Sequence, residues 1–412
     1  MNVNPHCNKA RPLIMHIDLN SCFATVEQQS RPLLRGRPVV IVNRRTENTS
    51  IVTASYEAKA LGVTVGMKVK EAKKLVPRLA ALESDPAKYR YVYHKLMEIM
   101  KRYSAHITMK SIDEGVIDFH HTTQAIRGHD LKDIGREIKQ ALRTEIGSAM
   151  RCNVGIATNR FLAKTAASLH KPDGLDEITH ENIRQALGML KLTDLTGIAS
   201  RNQKRLNAVG IYTPLSFLDT DVTTLKRVVF KSVLGEWWYL RLRGWEVDDV
   251  SHDMKTVGRQ YVLEDRTISR AAIIQRLHHL CESVGHRLRS QNKQARGVFV
   301  YARTVDRGYW HAKHMSSLPF FSNEAIYSQA FMMFVNAPEH IKEIGISCYA
   351  LEDGTRDQLS LFGDELAREQ QITDAIDTIN KRFGDRSIHS ADTIDTGRFV
   401  KQKIPFGSTR YL

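Results

Sequence analysis

The sequence predicts a multidomain α+β protein, and three observations carry that prediction. At 412 residues the chain exceeds what one ordinary core serves, so two to four compact units are expected. Short apolar runs alternate with amphipathic helical stretches over residues 13–178, and some of the strands lie close enough for antiparallel hairpins. A helical region over 182–244 is followed by a second region where helical and strand spacing both recur.

Taken in order, Leu13 to Asp18 is a short apolar run ending in an acid, which suits a buried strand with a carboxylate at its tip. Arg37–Val42 and Ser50–Thr53 read as further strands, and Gly62 and Gly66 punctuate a small basic subdomain reaching about Ala81. A helix is expected over Ala87–Tyr103, with Tyr89, Val92, Tyr93, Leu96, Ile99 and Met100 on one face. Ile107–Phe119 reads as two strands whose tight connection contains Asp113 and Glu114; Cys152–Ala157 is a strand and Phe161–Leu169 the helix after it. Trp245–Lys255, polar and acidic, reads as a linker. Beyond it, Ile273, Ile274, Leu277, Leu280, Cys281, Val284 and Leu288 fall at helical spacing, while 297–305 and 341–351 alternate as strands. From Glu352 the chain is polar and reads as a partly ordered tail.

Composition narrows the function. With 42% hydrophobic and 25% charged residues the chain is globular in type, and no apolar run approaches the roughly 18 residues of a membrane span. The N-terminal stretch lacks the apolar core of a secretion signal, so a cytoplasmic protein without membrane partners is expected. Five scattered cysteines, none in a C-x-x-C pair, argue against a disulfide framework or zinc site. A formal charge of +15 indicates a polyanionic partner, nucleic acid first, because Lys and Arg on phosphates release counterions. No G-x-x-x-x-G-K-[ST] loop or H-E-x-x-H pair occurs, which sets aside ATP-driven motors and zinc hydrolysis.

Asp18 at a strand end, with adjacent Asp113 and Glu114 in a hairpin, could form a carboxylate cluster for Mg²⁺ and phosphoryl transfer. On spacing alone, adjacent acids in a turn signify only solvation. The surroundings change that balance. I-D-L-N-S-C-F-A-T-V-E (Ile17–Glu27) and K-S-I-D-E-G-V-I-D-F (Lys110–Phe119) resemble the two catalytic motifs of Y-family DNA polymerases. The resemblance implies a right-hand polymerase with a ferredoxin-like palm, small fingers, a helical thumb and an α+β little finger. It divides the chain into palm (1–30 and 82–178), fingers (31–81), thumb (179–244), linker (245–254), little finger (255–351) and C-terminal tail (352–412).

It further implies two Mg²⁺ ions on Asp18, Asp113, Glu114 and the Leu19 carbonyl, with Asn20 where many members carry a second Asp. Phe23 falls at the steric gate that excludes a 2′-hydroxyl; a core phenylalanine is the plain alternative. Thr53-Ala-Ser-Tyr56-Glu-Ala-Lys59 resembles the fingers motif, in which Thr53, Tyr56 and a basic residue meet the triphosphate, Lys59 replacing the more frequent Arg. Asn153–Gly174, N-V-G-I-A-T-N-R-F-L-A-K-T-A-A-S-L-H-K-P-D-G, is the most specific match, and assigns Lys164 to the triphosphate, with the amides of Cys22 and Phe23 as further donors.

Gly197, Ala199 and Gly210 are spaced as in a helix-hairpin-helix that grips DNA phosphates. Arg259, Arg287, Arg289 and Arg303 are candidate phosphate contacts in the little finger, although singly each reads as an ordinary surface charge. Gln358-Leu359-Ser360-Leu361-Phe362 resembles the peptide that docks bacterial replication proteins on the sliding clamp, the β subunit. Ile376–Gly384 followed by Arg386 resembles polymerase V catalytic subunits, so the likeness spans the polymerase IV and V group and leaves open an activating subunit or recombinase filament as partner. The expected activity is template-directed, low-fidelity translesion synthesis on primer-template DNA and dNTP in the DNA-damage (SOS) response, without proofreading. The alternatives are a catalytically inactive DNA-binding accessory protein of a mutasome, which should have lost the acids, and a two-metal nuclease, which has no use for the Phe23 gate or for Tyr56 and Lys164 on a triphosphate.

Overall fold

The computed structural model describes residues 6–250, 253–263, 268–354 and 364–400. Two compact units share the chain, and the first ends at Val250. Among the described residues no helix is long and apolar enough to cross a membrane.

The first unit opens with β1 (Ile14–Leu19) and α1 (Cys22–Ser30), then β2 (Val39–Val42), β3 (Ile51–Ala54), α2 (Tyr56–Ala60), α3 (Val69–Leu75) and β4 (Ala80–Glu83). Next come α4 (Pro86–Lys101), β5 (Ile107–Met109), β6 (Glu114–Asp118), α5 (Gln124–Gly128), α6 (Leu131–Ala141), β7 (Cys152–Ala157), α7 (Arg160–Ala166) and β8 (Leu175–Ile178). α8 (Ile183–Gly188), α9 (Ser200–Asn207), α10 (Pro214–Asp219) and α11 (Leu234–Leu242) form the helical part.

The main sheet runs β5-β6-β1-β7-β8, with β1 central and antiparallel to both neighbours. Side chains alternate along β1. Met15, Ile17 and Leu19 enter a core with Tyr89, Leu96 and Ile99 of α4 and Ile134 of α6, whereas Ile14 enters the core of α7 and α8 to α11. His16 and Asp18 share the Ile14 parity and so stand on the α7 side. α4 starts at Asp85, whose side chain accepts from the amides of Ala87 (3.2 Å) and Lys88, with Pro86 at the first helical position. Its buried face is the one the spacing predicts, and each buried aliphatic contributes about 1.5–3 kcal/mol over exposure. α7 starts at Asn159, which accepts from the Leu162 amide at 2.7 Å. It crosses β7 at Gly155, where a Cβ would lie 2.0 Å from the Ala163 carbonyl oxygen.

β3, β2 and β4 form a second, three-stranded sheet over α2 and α3, with its own core of Val40, Val42, Ile51, Val63 and Val69. β4 reaches Glu83, so this sheet runs two residues past the boundary expected at 81. The expected linker is divided. Trp245 to Asp249 is bound to the first unit, because buried Arg160 needs anions: Glu246 meets it at 2.9 Å and Asp249 at 2.6 Å, while Asp248 pairs with Arg241.

The second unit contains β9 (Thr256–Val262), α12 (Arg270–Ser290), β10 (Lys293–Thr304), β11 (Tyr309–Phe320), α13 (Asn323–Phe334), β12 (Ile341–Asp353) and α14 (Asp364–Phe383), then a 3₁₀ helix, Ala391–Arg398. Its sheet order is β11-β10-β12-β9, antiparallel throughout. Val298, Val300, Ala302, Ile344, Ile346 and Cys348 are buried on the face that α12 and α13 cover. Residues 364–400, expected as part of a partly ordered tail, belong to this unit and extend it past the boundary expected at 351. α14 and the 3₁₀ helix dock on α12 through Arg289–Asp377 (2.7 Å), His278–Asp392 (2.8 Å), His279–Thr396 (2.7 Å) and an Arg386–Glu282 ion pair.

Candidate active site and nucleic-acid interface

Asp18 stands opposite Glu114 in the β1–β6 ladder and opposite Asn153 in the β1–β7 ladder. The Leu19 amide donates to the Asp113 carbonyl at 2.9 Å, which ties the β5–β6 connection to the end of β1. Pairing of these strands therefore brings Asp18 to the adjacent acids Asp113 and Glu114, which lie far along the chain from it.

The acids are largely buried, and this sets their electrostatics. Burial pushes Asp113 up to about 6; the Ser111 hydroxyl, donating at 2.5 Å, opposes the rise, and the charges of Asp18 and Glu114 add to it. Burial also raises Asp18, against an ion pair with Lys171. Glu114 is held by Lys164 at 2.6 Å. His16 lies beneath, 2% exposed, its Nε2 3.8 Å from Glu114, and burial followed by the charge of Lys164 lowers it to about 3. Among the described residues no three acid, imidazole or thiol groups converge on one point at coordinating distance, since Asp18 and Glu114 each turn to a lysine. The donor set still fits Mg²⁺: its hard oxygens are desolvated and mutually repelling, with Asp18 and Glu114 neutralised by ammonium groups and Asp113 held by a hydroxyl.

Lys171 is the residue that sequence reasoning missed. The expected triphosphate lysine, Lys164, stands on Glu114 beside Lys110, His16 and the thumb residues Thr196 and Gly197, around a cavity of about 410 Å³. Lys171 instead joins Asp18 and Lys59, whose ammonium is lowered by burial and then by the charge of Lys171. Lys59 donates to the Ser21 hydroxyl at 2.8 Å and lies over the Tyr56 ring at 4.6 Å. Tyr56, raised by burial and by Asp18, begins α2, while Thr53 is half-buried on β3 opposite Ile41. The signal for Lys171 lay in the same motif, seven residues on, and only the return of the 170–174 loop to β1 reveals it.

Cys22 and Phe23 open α1, and both are buried. The Phe23 ring, 8% exposed, stacks on Tyr89 with centroids 4.3 Å apart and planes at 10°. It is thus a packed core ring as well as the residue five positions past Asp18.

In the thumb, Gly197 (φ 97°) and Gly210 (φ 83°) occupy left-handed turns, and Ala199 caps α9. The first helix of the expected motif is a single 3₁₀ turn, Leu192–Asp194. Asn202 donates to the Gly197 carbonyl at 2.9 Å, which fixes the hairpin.

Two little-finger arginines are corrected. Arg259 points to the helix side of β9, bonds Ser283 of α12 and the Val400 carbonyl, and is lowered by burial to about 10. Arg289 is spent on Asp377, Asn323 and the Phe321 carbonyl. Arg287 donates to the Gly258 carbonyl at 2.9 Å. Arg303 is exposed, 3.8 Å from Glu343, on the sheet face without helices among the described residues. The ladder puts Phe299, Tyr301, Tyr309, His311 and exposed Lys313 on that same face, their rings in contact at 5.4–6.3 Å. Gln358–Phe362 lies outside the described residues.

Residues 17–168 match the model of the impB/mucB/samB family, and residues 254–361 match that family's C-terminal domain. A protein of Clostridium acetobutylicum named DNA polymerase IV is 29% identical, over 91% of this chain and 96% of its own. Bacillus subtilis DNA polymerase IV 1 is 28% identical over 93% of each, and Oceanobacillus iheyensis DNA polymerase IV 27% over 93% and 92%. A solved Y-family DNA polymerase chimera shares the fold with a TM-score of 0.69 at 22% identity, covering 82% of this chain and 99% of that one. Both family models on one chain, a matching fold and relatives aligned over nearly their whole length lead to one conclusion: the chain belongs to the impB/mucB/samB family, the Y-family of DNA polymerases.

Proposed function

We propose that the chain performs low-fidelity, template-directed translesion synthesis by two-metal-ion nucleotidyl transfer, without proofreading. The observation that carries this reading is the meeting of Asp18 and Glu114 across one ladder, with Asp113 beside them and a lysine on each of the two. In this reading Asp18, Asp113, Glu114 and the Leu19 carbonyl would hold two Mg²⁺ ions, whose contribution would be to activate the primer hydroxyl and neutralise the triphosphate.

The chain's own residues orient the reactants. Lys59, Lys171, Tyr56 and Thr53 bind the triphosphate, and the amides of Cys22 and Phe23 at the start of α1 add donors. Phe23, immobilised on Tyr89, presses on the sugar and excludes a 2′-hydroxyl. Lys164 and Lys110, next to the thumb hairpin, bind the primer backbone, while Arg303 and Lys313 on the open sheet face meet duplex phosphates. The three-stranded fingers sheet with two short helices is small, which supports a loosely held nascent pair. Gln358–Phe362 docks the chain on the sliding clamp, and the enzyme acts on cytoplasmic DNA.

Primer extension on undamaged and abasic templates tests the reading. The wild-type chain is expected to extend past the lesion and Asp113→Ala to extend neither template; extension that persists in Asp113→Ala overturns it.

A further inference from the structure

We propose that Asn20 and Asn153 are positioning residues for the incoming nucleotide: as a buried amide pair they anchor the 170–174 loop and so set Lys171 on Asp18. The inference rests on the reading of Lys171 as a triphosphate ligand.

Asn20 is 3% exposed and Asn153 fully buried at 0%. Asn153 Nδ2 donates to the His170 carbonyl at 3.0 Å, Asn20 Nδ2 donates to Asn153 Oδ1 at 2.7 Å, and the Asp173 amide donates to Asn20 Oδ1 at 2.8 Å. The two ends of this chain are backbone groups with fixed roles, a carbonyl that only accepts and an amide that only donates. They dictate the orientation of both side chains, and every step is then a matched donor and acceptor.

The anchors grip the loop at His170 and at Asp173, and between them stand only Lys171 and Pro172. Asp173 has φ 62°, a left-handed conformation that a non-glycine residue keeps only when its surroundings hold it. Lys139 and Arg143 tie its outer side through ion pairs. Gly174 lets the loop approach, since a Cβ there would lie 2.2 Å from the His170 carbonyl oxygen and 2.9 Å from Asn153 Nδ2. Asn153 is also the ladder partner of Asp18, so one strand pairing fixes both the acid and the anchor of the lysine that meets it. Asp at position 20 could accept from Asp173 but not donate to Asn153, so this network requires the amide.

The test is single-nucleotide incorporation by Asn20→Ala, Lys171→Ala and the double variant, together with amide hydrogen exchange of residues 170–174. Asn20→Ala is expected to raise the KM for dNTP roughly tenfold with kcat within about twofold, and to speed exchange in the loop. The double variant is expected to match Lys171→Ala alone, because both act through one side chain. Should Asn20→Ala not fold, Asn20→Asp, which keeps volume and the acceptor, carries the same KM and exchange measurements. Additive effects on KM, or unchanged exchange in 170–174, overturn the proposal. If Lys171→Ala leaves KM unchanged, the triphosphate reading of Lys171 fails and the proposed role falls with it; the exchange data then still judge the anchoring separately.

Discussion

Lys164 and Lys171 belong to one sequence motif yet hold different acids, Glu114 and Asp18. A charge-assisted hydrogen bond contributes about 1.5–3 kcal/mol. Lys171→Ala should therefore raise the KM for dNTP roughly 10- to 100-fold at nearly constant primer affinity, whereas Lys164→Ala should weaken primer binding first; steady-state kinetics against each substrate distinguish them. Phe23 carries a second expectation. Its truncation to Ala would remove the stack on Tyr89 and cost about 3–5 kcal/mol of stability, so Phe23→Leu is the cleaner variant. Ribonucleotide incorporation should rise about tenfold or more in Phe23→Leu, equivalent to about 1.4 kcal/mol of lost discrimination, and unchanged sugar selectivity would leave Phe23 as a core residue alone. At this scale the acids were legible because each sits in a short motif, while the choice between the lysines depends on a loop closure that spacing does not encode.

At the scale of elements, α14 is held by polar contacts, which explains why its sequence reads as a tail. Of its residues Thr373 is buried, whereas Ile372 is exposed, so no apolar stripe announces a docked helix. The polar anchoring has a pH signature. His279 on α12, lowered to about 3 chiefly by burial, stays neutral in the fold, while its unfolded form titrates near 6.5. The unfolded state binds more protons between those values, so stability falls as pH drops below about 6.5. Between pH 7 and 5 the loss amounts to about 2 kcal/mol. Asp377 adds acid lability further down: burial alone would raise it, but its bonds to Arg289 and His286 hold it well below the usual carboxylate range, and that stabilisation is lost as pH falls below about 3.8. Urea unfolding at pH 7 and 5 should show a loss in the wild-type chain, to which buried His16 adds a share of its own, that is smaller by about 2 kcal/mol in His279→Gln; an equal loss in both would contradict the assignment. The little-finger arginines teach the same lesson about elements. Arg259 and Gln260 are neighbours in sequence, yet strand parity sends one to the helices and the other to the open face.

For the whole molecule, the α+β class, the helical region over 182–244 and the second α+β unit were legible from hydrophobic periodicity, because cores impose it. The end of the first unit was not, since Glu246, Asp248 and Asp249 read as linker acids until Arg160 and Arg241 are seen beneath them. The site depends on strand order, with β1 between β6 and β7, as no single motif brings Asp18 to Glu114 and Asn153 together. Whether this meeting of acids serves two metal ions can be read by counting Mn²⁺ bound in a complex with dNTP and a primer lacking its 3′-hydroxyl. Two ions per chain are expected for the wild type and at most one for Asp113→Ala; equal binding in both proteins would mean that Asp113 holds no metal.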